Sequence, residues 1–407
     1  MRKVHYAWYV CVGCALLLFC TSGLAINAFT IYQPYIISLN HFTNTRASAL
    51  LTFRNLASLL SMLFAGSYYK RLNMRCGMTI AGGTMTAAYV FFGISCKYWH
   101  YCIASILTGI GYGLGTMIPI TILLNRWFER KKDTAIGICS AVTGVATLGI
   151  PSLLSSMIES KGLCFTFLIE AIVIGLFSLI CFCLLRNSPE EMQLCPYGSE
   201  EKQVVSAKEK LCAGNNLSKP ELALMLLMIL FIGGVMNVSY SHLTVFITGE
   251  GLSSRAAALA LSISGIALLA GKILYGKLED RLGTIKCNFV FAPLFLSGLA
   301  LCCFIGKLPS VLFPAVTLYS FGLAYMSVGL STWPLELSYG EKQARMIQLF
   351  QIGYAAGGLV FSPLPGAIAD GANGSYQKAY ILFFVLGCIV FFTVQFILFR
   401  KKKQTLH

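Results

Sequence analysis

Apolar runs of roughly 20 residues, each bounded by short polar or basic clusters, recur along the whole 407-residue chain, and that is the length an α-helix needs to cross about 30 Å of hydrocarbon. Twelve such spans are predicted, over residues 7–33, 46–66, 77–95, 100–124, 133–158, 163–185, 220–247, 254–278, 287–306, 310–335, 342–369 and 376–399. Between the sixth and seventh lies the one long polar segment, 186–219, with Pro189, Pro196, Gly198 and charges of both signs. It reads as a cytosolic linker. The expected organisation is an N-terminal six-helix bundle (1–185), that linker (186–219), and a C-terminal six-helix bundle (220–407) ending in a short basic tail. The fold class is all-α integral membrane, with twelve transmembrane helices. The first apolar run is too long for a cleaved signal and no small-residue cleavage site follows it, so the chain is expected to start at its own first helix.

Composition supports the same class. The chain is 57% hydrophobic and 12% charged, where a soluble domain runs near 25% charged. A net charge of +15 would ordinarily raise nucleic acid as a partner, but the basic residues are not spread evenly. With a cytosolic N-terminus, only Arg46, Lys97, Lys161, Arg255, Lys307 and Lys378 fall in outer loops and two more within spans, the rest of the 31 Lys and Arg being cytosolic. This is the positive-inside pattern, with both termini in the cytosol of a plasma or bacterial inner membrane. It accounts for the basicity without nucleic acid. Most of the 16 cysteines lie in apolar runs, as Cys139, Cys181, Cys183, Cys302 and Cys303 do, and read as small hydrophobes. Cys11 and Cys14 form a CxxC inside the first span with no second pair, so no metal site is expected.

A division into six and six invites a search for a repeat. Gly66, Arg71 and Leu72, after the second span, match Gly276, Arg281 and Leu282, after the eighth, at a constant offset of 210 residues. Gly149-Ile150-Pro151 in the fifth span corresponds roughly to Ser362-Pro363-Leu364-Pro365-Gly366 in the eleventh. The two bundles are therefore expected to be pseudo-symmetric.

The Gly276-x-x-x-Asp280-Arg281-x-Gly283 loop, with its degenerate copy at Gly66 and Arg71, resembles the signature of the major facilitator superfamily. More narrowly, the chain resembles the oxalate/formate antiporter and monocarboxylate transporter branch. Asn125-Arg126-Trp127-Phe128 followed by Ala135-x-Gly137, the run Gly271-Lys272-x-x-x-Gly276, and Pro363-x-Pro365-Gly366 before Asp370 and Gly374-Ser375-Tyr376 carry that likeness. It covers nearly the whole chain. There are departures: Lys272 stands where the family usually has arginine, Lys70 where the first-half loop has an acid, Leu268 where some proton-coupled members have aspartate, and Gln348 and Gln351 are the polar residues of the eleventh helix, which lacks the antiporter-like lysine.

Candidate chemistry follows from charges placed where they are expensive. Arg54 lies about eight residues into the second span, on a face of Ala47, Leu51, Ser58, Ser61 and Ala65 that suits close packing or a wet cavity wall. Lys272 lies about six residues from the end of the eighth. Either binds the carboxylate of an anion, or else Lys272 snorkels and Arg54 pairs with backbone carbonyls. Position 62, the counterpart of Lys272, is Met62, so the substrate site is expected to be asymmetric, with one cation from each half.

Glu170 is the one acid well inside a span and is a candidate for proton coupling. The resemblance places its helix away from the transport path, which favours a packing role. His242 is a second candidate by its ordinary titration range, against the alternative of a solvated histidine near the interface. Asn27, Tyr32, Tyr112, Asn237, Tyr240, Trp333, Gln348 and Gln351 would line a cavity in the resembling fold. Asp280 and Arg281, with Gly66, Arg71, Gly276 and Gly283, are read as a gating loop, against a solvated topogenic one. The run Gly109-Ile110-Gly111-Tyr112-Gly113-Leu114-Gly115 contains GxGxxG but lies in a membrane span without a preceding strand, so it reads as a close helix approach.

No nucleotide loop or ATPase domain is present and titratable groups are scattered, so neither an enzyme nor a cofactor is expected. The expected function is secondary transport of a small organic anion, a monocarboxylate, by alternating access. Proton symport leads and exchange against a counter-anion follows. Efflux of an unrelated small molecule and a transport-like sensor are the remaining alternatives. The sequence leaves the oligomeric state open.

Overall fold

The computed structural model describes residues 5–405 except 96, 131, 147–148, 199–216 and 339–340. The described chain is helical throughout, apart from an isolated bridge between Phe128 and Tyr197. Among the described residues eleven helices are long and apolar enough to cross a membrane: α1 (Tyr6–Asn40), α2 (Asn44–Arg71), α4 (Tyr98–Trp127), α5 (Ala135–Lys161), α6 (Leu163–Leu184), α7 (Lys219–Ser241), α8 (Ser254–Glu279), α9 (Thr284–Cys302), α10 (Pro309–Pro334), α11 (Arg345–Asp370) and α12 (Gln377–Lys403). The twelfth expected span, α3 (Met74–Gly93), has the length, at 20 residues, but its glycines and threonines dilute its hydropathy.

The helix ends follow local chemistry. Ser218 and Glu221 form a capping box at the start of α7, and the same Glu221 carboxylate meets Arg400 at 3.3 Å and Lys401 at 3.7 Å at the end of α12. The Ser253 hydroxyl accepts the Ala256 amide at 3.2 Å to open α8. That helix runs unbroken to Leu282 and stops only at Gly283, whose φ of +79° is open to glycine at little cost.

The chain packs as two compact units, one of residues 1–35 and 50–203, the other of residues 36–49 and 204–407. The corner 36–49 between α1 and α2 thus belongs with the second unit. Its ties are specific: Asp370 accepts from Asn44 and Thr45, Ser48 meets His242, and Tyr376 donates to Asn44 Oδ1 at 3.1 Å. At the start of the predicted linker, residues 186–198 fold against the end of α4. The Trp127 indole donates to the Arg186 carbonyl at 3.1 Å, and the Tyr197 amide donates to the Trp127 carbonyl at 2.9 Å.

Within the first unit, the glycine run of α4 brings helices together as its small size allows. A methyl on Gly109 would stand 2.2 Å from the Arg54 carbonyl oxygen, and one on Gly113 would stand 2.6 Å from that of Ser58. Each unit also contains one wide-turned π segment, Phe19–Asn27 in α1 and Gly233–Val238 in α7. Gly23 and Asn27 match Gly233 and Asn237 at the offset of 210 residues already seen in the loops.

Candidate functional site

In the first unit α2 holds Arg54 at 3% exposure against the α4 glycines. Phe29, Leu50, Leu51, Phe92, Ser105 and Thr108 line one small pocket with it. The guanidinium Nη1 has no hydrogen-bond partner among the described residues. The Tyr89 and Tyr112 side chains lie within its electrostatic reach.

Glu170, 4% exposed on α6, is held by an aromatic wall. The Tyr32 hydroxyl, reaching from α1, donates to its Oε2. Tyr32 stacks on Phe167 with ring centroids 4.1 Å apart, and Phe167 stacks on Phe92 at 5.1 Å. Tyr89 of α3 stands edge-on to both phenylalanines. Neither Glu170 Oε1 nor the Tyr89 hydroxyl has a partner among the described residues. Buried polar atoms are nearly always paired, so these orphans, like the two Gln33 amide atoms of the same unit, call for a reason. Phe92, which lines one pocket with Arg54, stacks on the Phe167 that carries Tyr32, so one aromatic cluster in this unit runs between the acid and the cation.

The other sequence candidates of this unit are more peripheral to that arrangement. Asn27 ends the π segment of α1 and is half-buried. Tyr112 is half-buried and faces Ser22. Tyr32 was expected to line a cavity; it is instead fully buried, because its ring completes the stack on Phe167 and its hydroxyl is taken by Glu170.

In the second unit Lys272 is half-buried in α8, with no hydrogen-bonding or ionic partner among the described residues. Its neighbour Gly271 lets the Phe321 carbonyl of α10 approach to 2.4 Å from where a Cβ would stand. Because α8 continues to Leu282, Lys272 lies further from the helix end than the sequence indicated. Asn237 accepts from the Ser241 hydroxyl at 3.3 Å, Tyr240 is half-buried, Gln348 and Gln351 are exposed on α11, and Trp333 is fully buried.

Two expectations are corrected here. His242 is not solvated: it is fully buried, with Nδ1 2.9 Å from the Val238 carbonyl and Nε2 3.0 Å from the Ser48 hydroxyl. Nδ1–H donates to the carbonyl, which leaves Nε2 to accept from Ser48. The gating residues, in turn, do not form loops. Gly66 and Arg71 lie in the last turns of α2, while Gly276, Asp280 and Arg281 lie in those of α8, because nothing before Gly283 breaks the backbone hydrogen-bond ladder. Arg71 and Arg281 are exposed, and the Asp280 side chain lies outside the described residues.

Sequence reasoning missed Tyr89, which looks like one more apolar residue of α3. It also missed a buried chain in which Tyr275 donates to Asn288 Oδ1 at 2.6 Å and Asn288 donates to Gln395 Oε1 at 3.1 Å.

The family model described as Major Facilitator Superfamily matches residues 14–338 and 251–407. Monocarboxylate transporter 12 of Homo sapiens is 23% identical over 414 residues, covering 93% of this chain and 77% of that protein. The oxalate:formate antiporter of Oxalobacter formigenes is 22% identical over 400 residues, covering 97% and 92%. Among solved structures, the nucleoside transporter NupG superposes with a TM-score of 0.74 at 13% identity, over 97% of this chain and 99% of that one, a likeness of fold.

Proposed function

The chain belongs to the major facilitator superfamily, and from that premise we propose that it carries a small organic anion, a monocarboxylate, across the membrane by alternating access together with a proton. Membrane transport is common to its relatives. The observation that carries the finer reading is Arg54, a buried guanidinium with an unpartnered Nη1. A fixed cation with unused donors suits a carboxylate, which a guanidinium holds through two parallel hydrogen bonds. Lys272 adds a second intramembrane cation with no ionic partner among the described residues, which disfavours a cationic cargo. The names of two relatives, one of a monocarboxylate transporter and one of an oxalate:formate antiporter, agree with small carboxylates as cargo.

Exchange against a counter-anion is the second reading, favoured by the antiporter relative. We place both termini in the cytosol of a plasma or bacterial inner membrane from the distribution of Lys and Arg. The test is uptake of labelled lactate into proteoliposomes. Accumulation driven by an acid exterior supports symport, whereas uptake only into vesicles preloaded with a carboxylate supports exchange. No carboxylate movement in either format rejects both.

A further inference from the structure

We propose that Glu170 is the proton-binding group of the transport cycle and that Tyr89 passes its charge state to Arg54. This rests on the carboxylate-transport reading and names the group that couples it. The geometry is that of an incomplete network. One oxygen of a carboxylate at 4% exposure is occupied by the Tyr32 hydroxyl, and the other, Oε1, has no donor. A carboxylate at this depth, whose one donor Tyr32 is itself stacked on Phe167, has lost its hydration, and one tyrosine replaces only part of it. Since Tyr32 already donates to Oε2, the arriving proton goes to Oε1.

The titratable groups in reach of Glu170 among the described residues are Tyr32 and Cys20 from α1 and Tyr89 from α3. The stretch of α5 packed against α6 carries Glu159 and Lys161, both exposed, with Glu159 turned to the Tyr35 hydroxyl. On α6 itself Glu170 is the only charged residue. Tyr89 is therefore the link: its hydroxyl is unpartnered, and its ring stands edge-on both to Phe92, which lines one pocket with Arg54, and to Phe167, on which the Glu170 donor Tyr32 stacks. A phenol donates to an ionised carboxylate and accepts from a guanidinium. With Glu170 ionised, Tyr89 donates toward it. With Glu170 protonated, Tyr89 is released, no fixed negative charge opposes an anion, and the Arg54 Nη1 takes the substrate carboxylate. One proton and one monocarboxylate then move together, with no net charge.

Two measurements test this on the purified full chain. Infrared difference spectra between about pH 5 and pH 9 read the band of a buried carboxylic acid without any substrate. Wild type is expected to show a titrating band, Tyr32→Phe to shift it, and Glu170→Gln to abolish it. A wild type without such a band, or an unchanged band in E170Q, overturns the assignment. In proteoliposomes, labelled lactate uptake driven by an acid exterior is expected to fall by about tenfold in E170Q, with the pH profile of lactate exchange flattened. Tyr89→Phe, which removes one unpartnered hydroxyl, is expected to keep the infrared band and lose the response to the gradient. E170Q or Y89F with the wild-type pH response overturns the coupling. A wild type that titrates in the infrared but moves no carboxylate removes the transport reading and leaves the proton site standing.

Discussion

Asp370 caps the N-terminus of α2 from 325 residues away, its Oδ2 accepting the Thr45 amide at 2.8 Å and the Thr45 hydroxyl at 2.5 Å. Its Oδ1 takes the Asn44 amide at 3.0 Å and the Asn44 side chain at 2.9 Å. Loss of such a cap costs about 0.5–2 kcal/mol. Asp370→Ala is therefore expected to speed amide exchange at residues 44–47 by roughly tenfold, with Asp370→Asn less affected because it keeps one acceptor. Exchange unchanged in D370A would show that water caps the helix equally well.

The close approach at Gly109 makes an opposite pair with Gly83, where an added methyl meets nothing within 4 Å. Gly109→Ala must push α4 away from the Arg54 carbonyl and is expected to lower stability by about 1–3 kcal/mol. Gly83→Ala is expected to raise it by about 0.5–1 kcal/mol, as alanine for glycine does in a helix. Thermal melting in detergent reads both. Equal losses in the two variants would mean that the packing at Gly109 is slack.

For Arg54, charge and shape separate by substitution. Arg54→Gln is expected to cut lactate uptake by at least about tenfold, while Arg54→Lys retains part of it as a point charge without the bidentate fork. Both variants should elute as folded monodisperse protein on size exclusion. Wild-type uptake kinetics in R54Q would remove the anion-binding role. Lys272→Gln, tested separately, asks the same of the second unit.

His242 offers a control for the proton assignment. Its two ring nitrogens are both engaged, so Ser48→Ala, which removes the hydroxyl at Nε2, is expected to cost about 1 kcal/mol of stability. The pH profile of transport in S48A should remain that of wild type. A profile shifted in S48A, with E170Q unaffected, would move the coupling proton to the histidine.

How much of this was legible in the sequence depends on whether a property is written locally. The spans, their number and the glycine approach of α4 come from runs and spacings, and those carry over to the structure almost intact. Helix ends were read less well. The stretch from Gly276 to Arg281 has the polarity of a loop but no residue that breaks a helix until Gly283, so the ladder persists past the last apolar turn. Pairings between distant helices were not readable at all. Nothing around Tyr32 announces Glu170, 138 residues on, and nothing around Ser48 announces His242. Tyr89 was invisible for a further reason: its significance lies in having no partner.

The wide turns of α1 and α7 bear on how the chain arose. Such a turn holds one residue more than an α-helical turn, and an extra residue gained by one half alone would have shifted that half's numbering against the other. Instead Gly23 and Asn27 keep the same distance to Gly233 and Asn237 as Gly66 and Arg71 keep to Gly276 and Arg281. The simplest history has the added residue present in a single ancestral six-helix gene before it was copied and joined. Arg54, Glu170 and Lys272 stand outside that shared frame, since Ser264, Tyr380 and Met62 occupy the corresponding positions.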